Sequence, residues 1–149
     1  MDSATQLKAM LDRRELEAVE PTVEKAEVML KAAERSLRAA RSIATADPKS
    51  AVLLAWDGIA FQALAAALLV AGYRVTSQPG HHRVAVDAGR ILLSETALLS
   101  RIGGLRRLRS RGMYEAEPVK TEEAVAALED CQALIGVVRT AVARARGPR

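Results

Sequence analysis

The stretch AVLLAWDGIAFQALAAALLVA, residues 51–71, decides how the rest of the chain is read. Among these 21 residues only Asp57 and Gln62 are clearly polar, and eight are alanine. Asp47-Pro48 just upstream is a helix start: a carboxylate able to accept the first unpaired amides, followed by proline at the first helical position. Gly72 supplies the stop. A run of this length also satisfies the dimension of a membrane span. Two features oppose that reading: an Asp in mid-span is costly, and the flanking segments are amphipathic and gain a core by wrapping around an apolar partner. The expectation is therefore a buried central helix in a protein with no membrane contact.

The flanks supply the wrapping elements. A helix is expected from about Ser3 to Val19, with Leu7, Met10 and Leu11 on one face. Pro21 suits the first turn of a second helix reaching about Ala44, whose stripe is Val28, Leu30, Leu37, Ala40 and Ile43. Downstream, residues 73–80 read as a loop closed by Pro79-Gly80. A short helix over about His82–Leu93 turns Val86, Gly89 and Leu93 inward. The next begins near Ser94 or Thr96 and aligns Leu98, Ile102, Leu105 and Leu108, with Gly103-Gly104 permitting a bend or a close approach. The last opens at Thr121, where Glu122 and Glu123 favour the positive end of the helix dipole, and continues through Leu128, Leu134, Ile135, Val138 and Val142. No segment of four or more residues alternates as a strand does. The fold class is all-α, an antiparallel up-down bundle of four or five helices. A bundle over 21–145 is preceded by an amphipathic helix at 1–20 and followed by a basic tail at 146–149.

Composition agrees. The 149 residues suit one domain. Half are hydrophobic, but Trp56, Phe61, Tyr73 and Tyr114 are the only aromatics, a mixture better matched to close-packed helices than to a β-sandwich. The single cysteine, Cys131, excludes an intramolecular disulfide and a multi-cysteine zinc site, and its apolar setting predicts a buried, inert thiol. Residues 1–20 are charged throughout and lack the apolar core of a signal peptide, which makes the cytoplasm the expected location.

The net charge of +4 is unevenly spread. Arg101, Arg106, Arg107, Arg109 and Arg111 fall within eleven residues containing no acid. Arg139, Arg144, Arg146 and Arg149 form a second basic cluster. On a helix, Arg107 and Arg111 stack at i, i+4 and Arg106 and Arg109 at i, i+3. Their forked donors suit phosphate oxygens; the same residues also fit a solvated face balanced by Glu115, Glu117, Glu122 and Glu123. The scarcity of aromatics argues against a stacking platform for bases, so phosphate contact is the stronger nucleic-acid reading. His81-His82-Arg83 lies at a loop-to-helix junction. Adjacent histidines diverge and there is no third, so no metal is expected; packing, capping, phosphate contact and proton transfer remain open for them. Asp57, if buried, needs a partner, and an arginine of the run is the natural one. No Gly-rich phosphate loop, Ser/His/Asp order or HExxH motif occurs, and no cofactor is expected.

Four fragments then combine: LAWD at 54–57, GYRV at 72–75, PGHHR at 79–83 and LRRLRSRGMYE at 105–115. Together they resemble the HEPN superfamily, over about Thr22–Ala143. The resemblance implies a small helical bundle that usually dimerises. Many such domains are metal-independent endoribonucleases of toxin–antitoxin and defence systems; others are binding modules without activity. The family's catalytic motif is an arginine, often followed by asparagine, then four to six residues and a histidine. Here Arg109 stands at the arginine position, Ser110 replaces the asparagine, and Tyr114 stands where the histidine would be. Metal-free RNA cleavage needs a base, an acid and a cation for the developing charge. Arg109 can supply the cation. A tyrosine with a reference pKa of about 10 is a poor base at neutral pH, and losing a general acid–base group costs roughly 10²–10⁴ in rate. The resemblance thus implies a homodimer binding RNA or a nucleotide through Arg106, Arg107, Arg109 and Arg111, with Asp57, His81 and His82 nearby. Arg109 and Tyr114 take the catalytic positions, and cleavage is left open. The alternative is a non-catalytic interaction module or oligomeric scaffold, paired with a partner such as a nucleotidyltransferase or a cognate antitoxin.

Overall fold

The computed structural model describes residues 2–148, so Arg149 of the basic tail lies outside the described residues. The protein is predominantly helical. In chain order it runs α1 (Ser3–Asp12), β1 (Leu16–Ala18), α2 (Val23–Ile43), α3 (Pro48–Leu54), a π-helical segment (Ala55–Ala60), α4 (Phe61–Ala71), β2 (Tyr73–Val75), α5 (His81–Leu93), α6 (Thr96–Tyr114) and α7 (Thr121–Arg146).

The segments from α3 to α4 form one continuous rod, Pro48–Ala71. Asp47 starts it by accepting from the Ser50 amide at 3.1 Å and from the Ser50 hydroxyl at 2.6 Å, and Gly72 ends it in the left-handed region at φ 92°. This rod is long and apolar enough to cross a membrane by length and composition, yet 56% of its most apolar window is buried inside the protein. Val52, Trp56, Ile59 and Leu64 are almost wholly enclosed, with α2 and α7 against the rod and α5 against its α4 part. Alanine at 51, 55, 60, 63, 66 and 67, all buried, lets these neighbours approach closely. A smaller apolar cluster of Leu7, Met10, Leu16, Leu68, Val84 and Ala88 ties α1 to α4 and α5.

Several expectations need correction. The first helix stops at Asp12 and does not continue to Val19. The chain turns through Arg14 at φ 60°, and Leu16–Ala18 pairs antiparallel with Tyr73–Val75, Leu16 opposite Val75 and Ala18 opposite Tyr73. Three-residue strands are too short to show alternation, and each is made a strand by the other across the fold. Pro21 precedes the Thr22 N-cap and is not in the first helical turn of α2. Val28 is 65% exposed: the buried stripe of α2 is Ala26, Leu30, Ala33, Leu37 and Ala40, whose 4-3-4-3 spacing leaves Val28 off the inner face. Gly103-Gly104 lies inside an unbroken α6. Helix α7 reaches Arg146, so the tail begins after that residue.

Candidate functional site

The π-helical segment of the central rod carries Trp56, Asp57 and Gly58. Such widened turns recur where a helix must present side chains that a regular helix would aim elsewhere. Gly58 packs closely on its neighbours: a Cβ there would lie 2.7 Å from Leu54 Cδ1 and 3.0 Å from Ser36 Oγ on α2, so those side chains would have to shift. Trp56 is fully buried, and its Nε1–H donates to His82 Nδ1 at 2.9 Å. Phe61, one turn further along, sets its ring 5.1 Å from that of His82 and 5.9 Å from that of His81. The two imidazoles stand 4.3 Å apart at 79°. They sit on the first turn of α5, where His81 Nδ1 lies 3.2 Å from the Gln78 carbonyl oxygen.

Helix α6 closes the site. Arg109 Nη2 donates to Asp57 Oδ2 at 3.3 Å. The arginine side chain is only 15% exposed, and the carboxylate is 50% exposed. Arg109 Nε is buried without a partner, so one long contact is all that this guanidinium receives from Asp57. The surroundings lower the His82 pKa below its ordinary value. Burial is the main cause, followed by His81 and Arg109; Asp57 opposes the shift and Arg106 adds to it. His82 is therefore neutral at pH 7, as the Trp56 hydrogen bond independently requires, because a doubly protonated imidazole has no lone pair to accept it.

The Trp56–His82 hydrogen bond and the Asp57–Arg109 ion pair thus join neighbouring residues of the central rod to α5 and α6, with His81 against His82 and Arg106 acting on His82 through its charge. The other candidates lie elsewhere. Arg107 and Arg111 line a groove between α6 and α7 together with Arg101, Glu115, Glu123 and Asp130. Arg111 is held by Glu123 at 2.8 Å and Glu117 at 3.1 Å, and Arg101 by Asp130 at 2.9 Å. Tyr114, the last residue of α6, is 75% exposed and makes no hydrogen bond or ring contact among the described residues. The two arginine pairs separate as their i, i+3 and i, i+4 spacing implies, and of the four only Arg106 and Arg109 bear on the charge of His82.

Sequence reasoning missed Trp56 and Phe61 as parts of the site. Their partners are 26 and 20 to 21 residues away, and an apolar residue in an apolar helix reads as core, which Trp56 also is. Among the described residues no group of three or more His, Cys, Asp or Glu side chains could hold a metal ion. Chemically, the arrangement offers the N–H donors of Arg109 and of a neutral imidazole near one half-exposed carboxylate, with Arg106 adding positive charge. An anion of stronger or multidentate acceptor power can use the donors that Asp57 leaves unmet. Comparison with known proteins finds no matching family model, no similar curated protein and no similar solved structure.

Proposed function

We propose that this protein is an up-and-down helical bundle of HEPN type that binds the phosphates of RNA, or of a nucleotide, in a bacterial defence or toxin–antitoxin setting. The observation that carries this reading is the state of Arg109: largely buried, with an unpartnered Nε and a single 3.3 Å contact to Asp57. A buried guanidinium so poorly satisfied, beside Arg106 and a neutral histidine, is arranged to receive a further anion. The resemblance at 105–115 points to the same helix. Tyr114 is 75% exposed and makes no hydrogen bond to Arg109 among the described residues, which favours binding without cleavage.

A second reading has its own support. The α6–α7 groove mixes Arg101, Arg107 and Arg111 with Glu115, Glu123 and Asp130, a balance of charge better suited to a protein partner, such as a nucleotidyltransferase or antitoxin, than to a polyanion.

The test uses a labelled single-stranded RNA with purified protein in EDTA across a salt series. The RNA should remain intact. Arg109→Ala should weaken binding and reduce the log–log salt slope by about one unit for each phosphate that Arg109 neutralises, whereas Arg101→Ala should change neither. Equal affinity and slope in Arg109→Ala would overturn the phosphate reading. Cleavage by the wild type to 2′,3′-cyclic phosphate ends would replace the binder by a ribonuclease. Loss of that cleavage in Tyr114→Phe, His81→Ala or His82→Ala would then identify the group that moves the proton.

A further inference from the structure

The two adjacent histidines are held in opposite hydrogen-bonding states. An indole N–H can only donate, so His82 Nδ1 accepts, and the proton of this neutral ring is on Nε2. A carbonyl oxygen can only accept, so His81 Nδ1 donates to Gln78, and the lone pair of its neutral ring is on Nε2. Neither Nε2 has a protein hydrogen bond among the described residues, and both residues are partly exposed. The first turn of α5 therefore offers one N–H donor and one nitrogen acceptor side by side. Arg109 and Arg106 lie close enough to bear on the charge of the donor ring.

A phosphate oxygen of an ionised diester accepts hydrogen bonds and gives none, so it has no use for the His81 acceptor. The group that does is a hydroxyl adjoining the phosphate, and the 2′-hydroxyl is the feature that distinguishes RNA from DNA. We propose that the histidine pair selects ribose: His82 Nε2–H joins Arg106 and Arg109 on a phosphate of single-stranded RNA, and His81 Nε2 accepts from the neighbouring 2′-hydroxyl. Trp56 is the positioning residue, because its hydrogen bond fixes which nitrogen of His82 carries the proton. The inference rests on the phosphate-binding reading and adds the sugar to it.

The experiment compares RNA, DNA and 2′-O-methyl RNA of one sequence, with a second readout from long-range proton–nitrogen NMR of the histidines. RNA should bind more tightly than either analogue by roughly three- to ten-fold, the worth of one hydrogen bond, and His81→Ala should bring RNA down to the DNA value. The NMR should find His82 protonated at Nε2 and His81 at Nδ1, and Trp56→Phe should abolish the single His82 tautomer while helical circular dichroism is retained. If Trp56→Phe does not fold, the wild-type spectrum decides the tautomers. Equal, salt-dependent binding of RNA and DNA would overturn the ribose selection and leave the phosphate reading standing. Binding of none of the three would overturn both. His82 protonated at Nδ1 would overturn the donor–acceptor pair by itself.

Discussion

His82 shows how a single ring reports on everything around it. Its lowered pKa comes first from burial, then from His81 and from the guanidiniums of Arg109 and Arg106, with Asp57 acting in the opposite sense. Asp57→Asn should therefore lower the pKa further and Arg109→Ala should raise it, measured by NMR titration of the ring Cε1–H; shifts of the reverse sign would mean that these side chains do not face His82 in solution. The sign for stability follows from linkage. Near pH 6.5 (about the unfolded value) the denatured chain takes up a proton at this position and the native protein does not, so stability falls as the pH drops from there through the native value. Cys131 is the second telling residue. It is fully buried, its thiol donates to the Ala55 carbonyl at 3.4 Å, and burial, with some help from Asp130, pushes its pKa up to about 12. Only the thiolate reacts. Ellman's reagent at pH 8 should leave the native protein unmodified and label one thiol per chain in denaturant. Rapid native labelling would show that α7 opens from the central rod.

At the scale of the element, two glycines in helices make opposite predictions. Gly89 on α5 is buried, and an added Cβ would meet Leu64 Cδ2 at 2.7 Å and Leu99 Cδ1 at 3.1 Å. Both leucines are fully enclosed and have nowhere to move. Overpacking of this kind costs about 1–3 kcal/mol, which outweighs the roughly 0.5–1 kcal/mol that alanine gains over glycine within a helix. Gly136 on α7 has nothing within 4 Å of its virtual Cβ, so there the propensity term acts alone. Urea unfolding should find Gly89→Ala destabilised and Gly136→Ala stabilised by up to about 1 kcal/mol. A stabilised Gly89→Ala would mean that α5 packs less tightly on α4 than the structure has it.

For the molecule as a whole, the covering of the central rod bears on the homodimer that the resemblance implies. An apolar helix of this length offers more surface than a small monomer readily covers, yet α2 and α7, with α5, cover most of it. The homodimer now stands on the resemblance alone. Sedimentation in dilute buffer without detergent should give twice the 16.0 kDa of one chain at tens of micromolar. A 16.0 kDa species would remove the dimer, and association with added lipid vesicles would make the rod a membrane segment after all.

What the residues determined by themselves is what local chemistry can decide. Asp47-Pro48 starts a helix, Glu123 accepts from the Lys120 amide where the last one opens at Thr121, and Gly72 stops one, because caps satisfy unpaired backbone groups within three or four residues. The apolar run at 51–71 asked for cover, and α2, α7 and α5 pack against it. An arginine opposite Asp57 was foreseeable from charge, although its identity as Arg109 was not. Tertiary structure decided the rest. Leu16–Ala18 and Tyr73–Val75 are strands only because each is the other's partner. Val28 points outward because the phase of α2 is set by where it packs. The arginines divide between two surfaces according to which helices flank α6, and Trp56 becomes a hydrogen-bond donor to His82 because α5, packed on α4, brings its first turn within reach of the indole. Hydrogen bonds and packing between residues far apart in the chain leave no periodic trace along it, and for that reason the site is visible only in three dimensions.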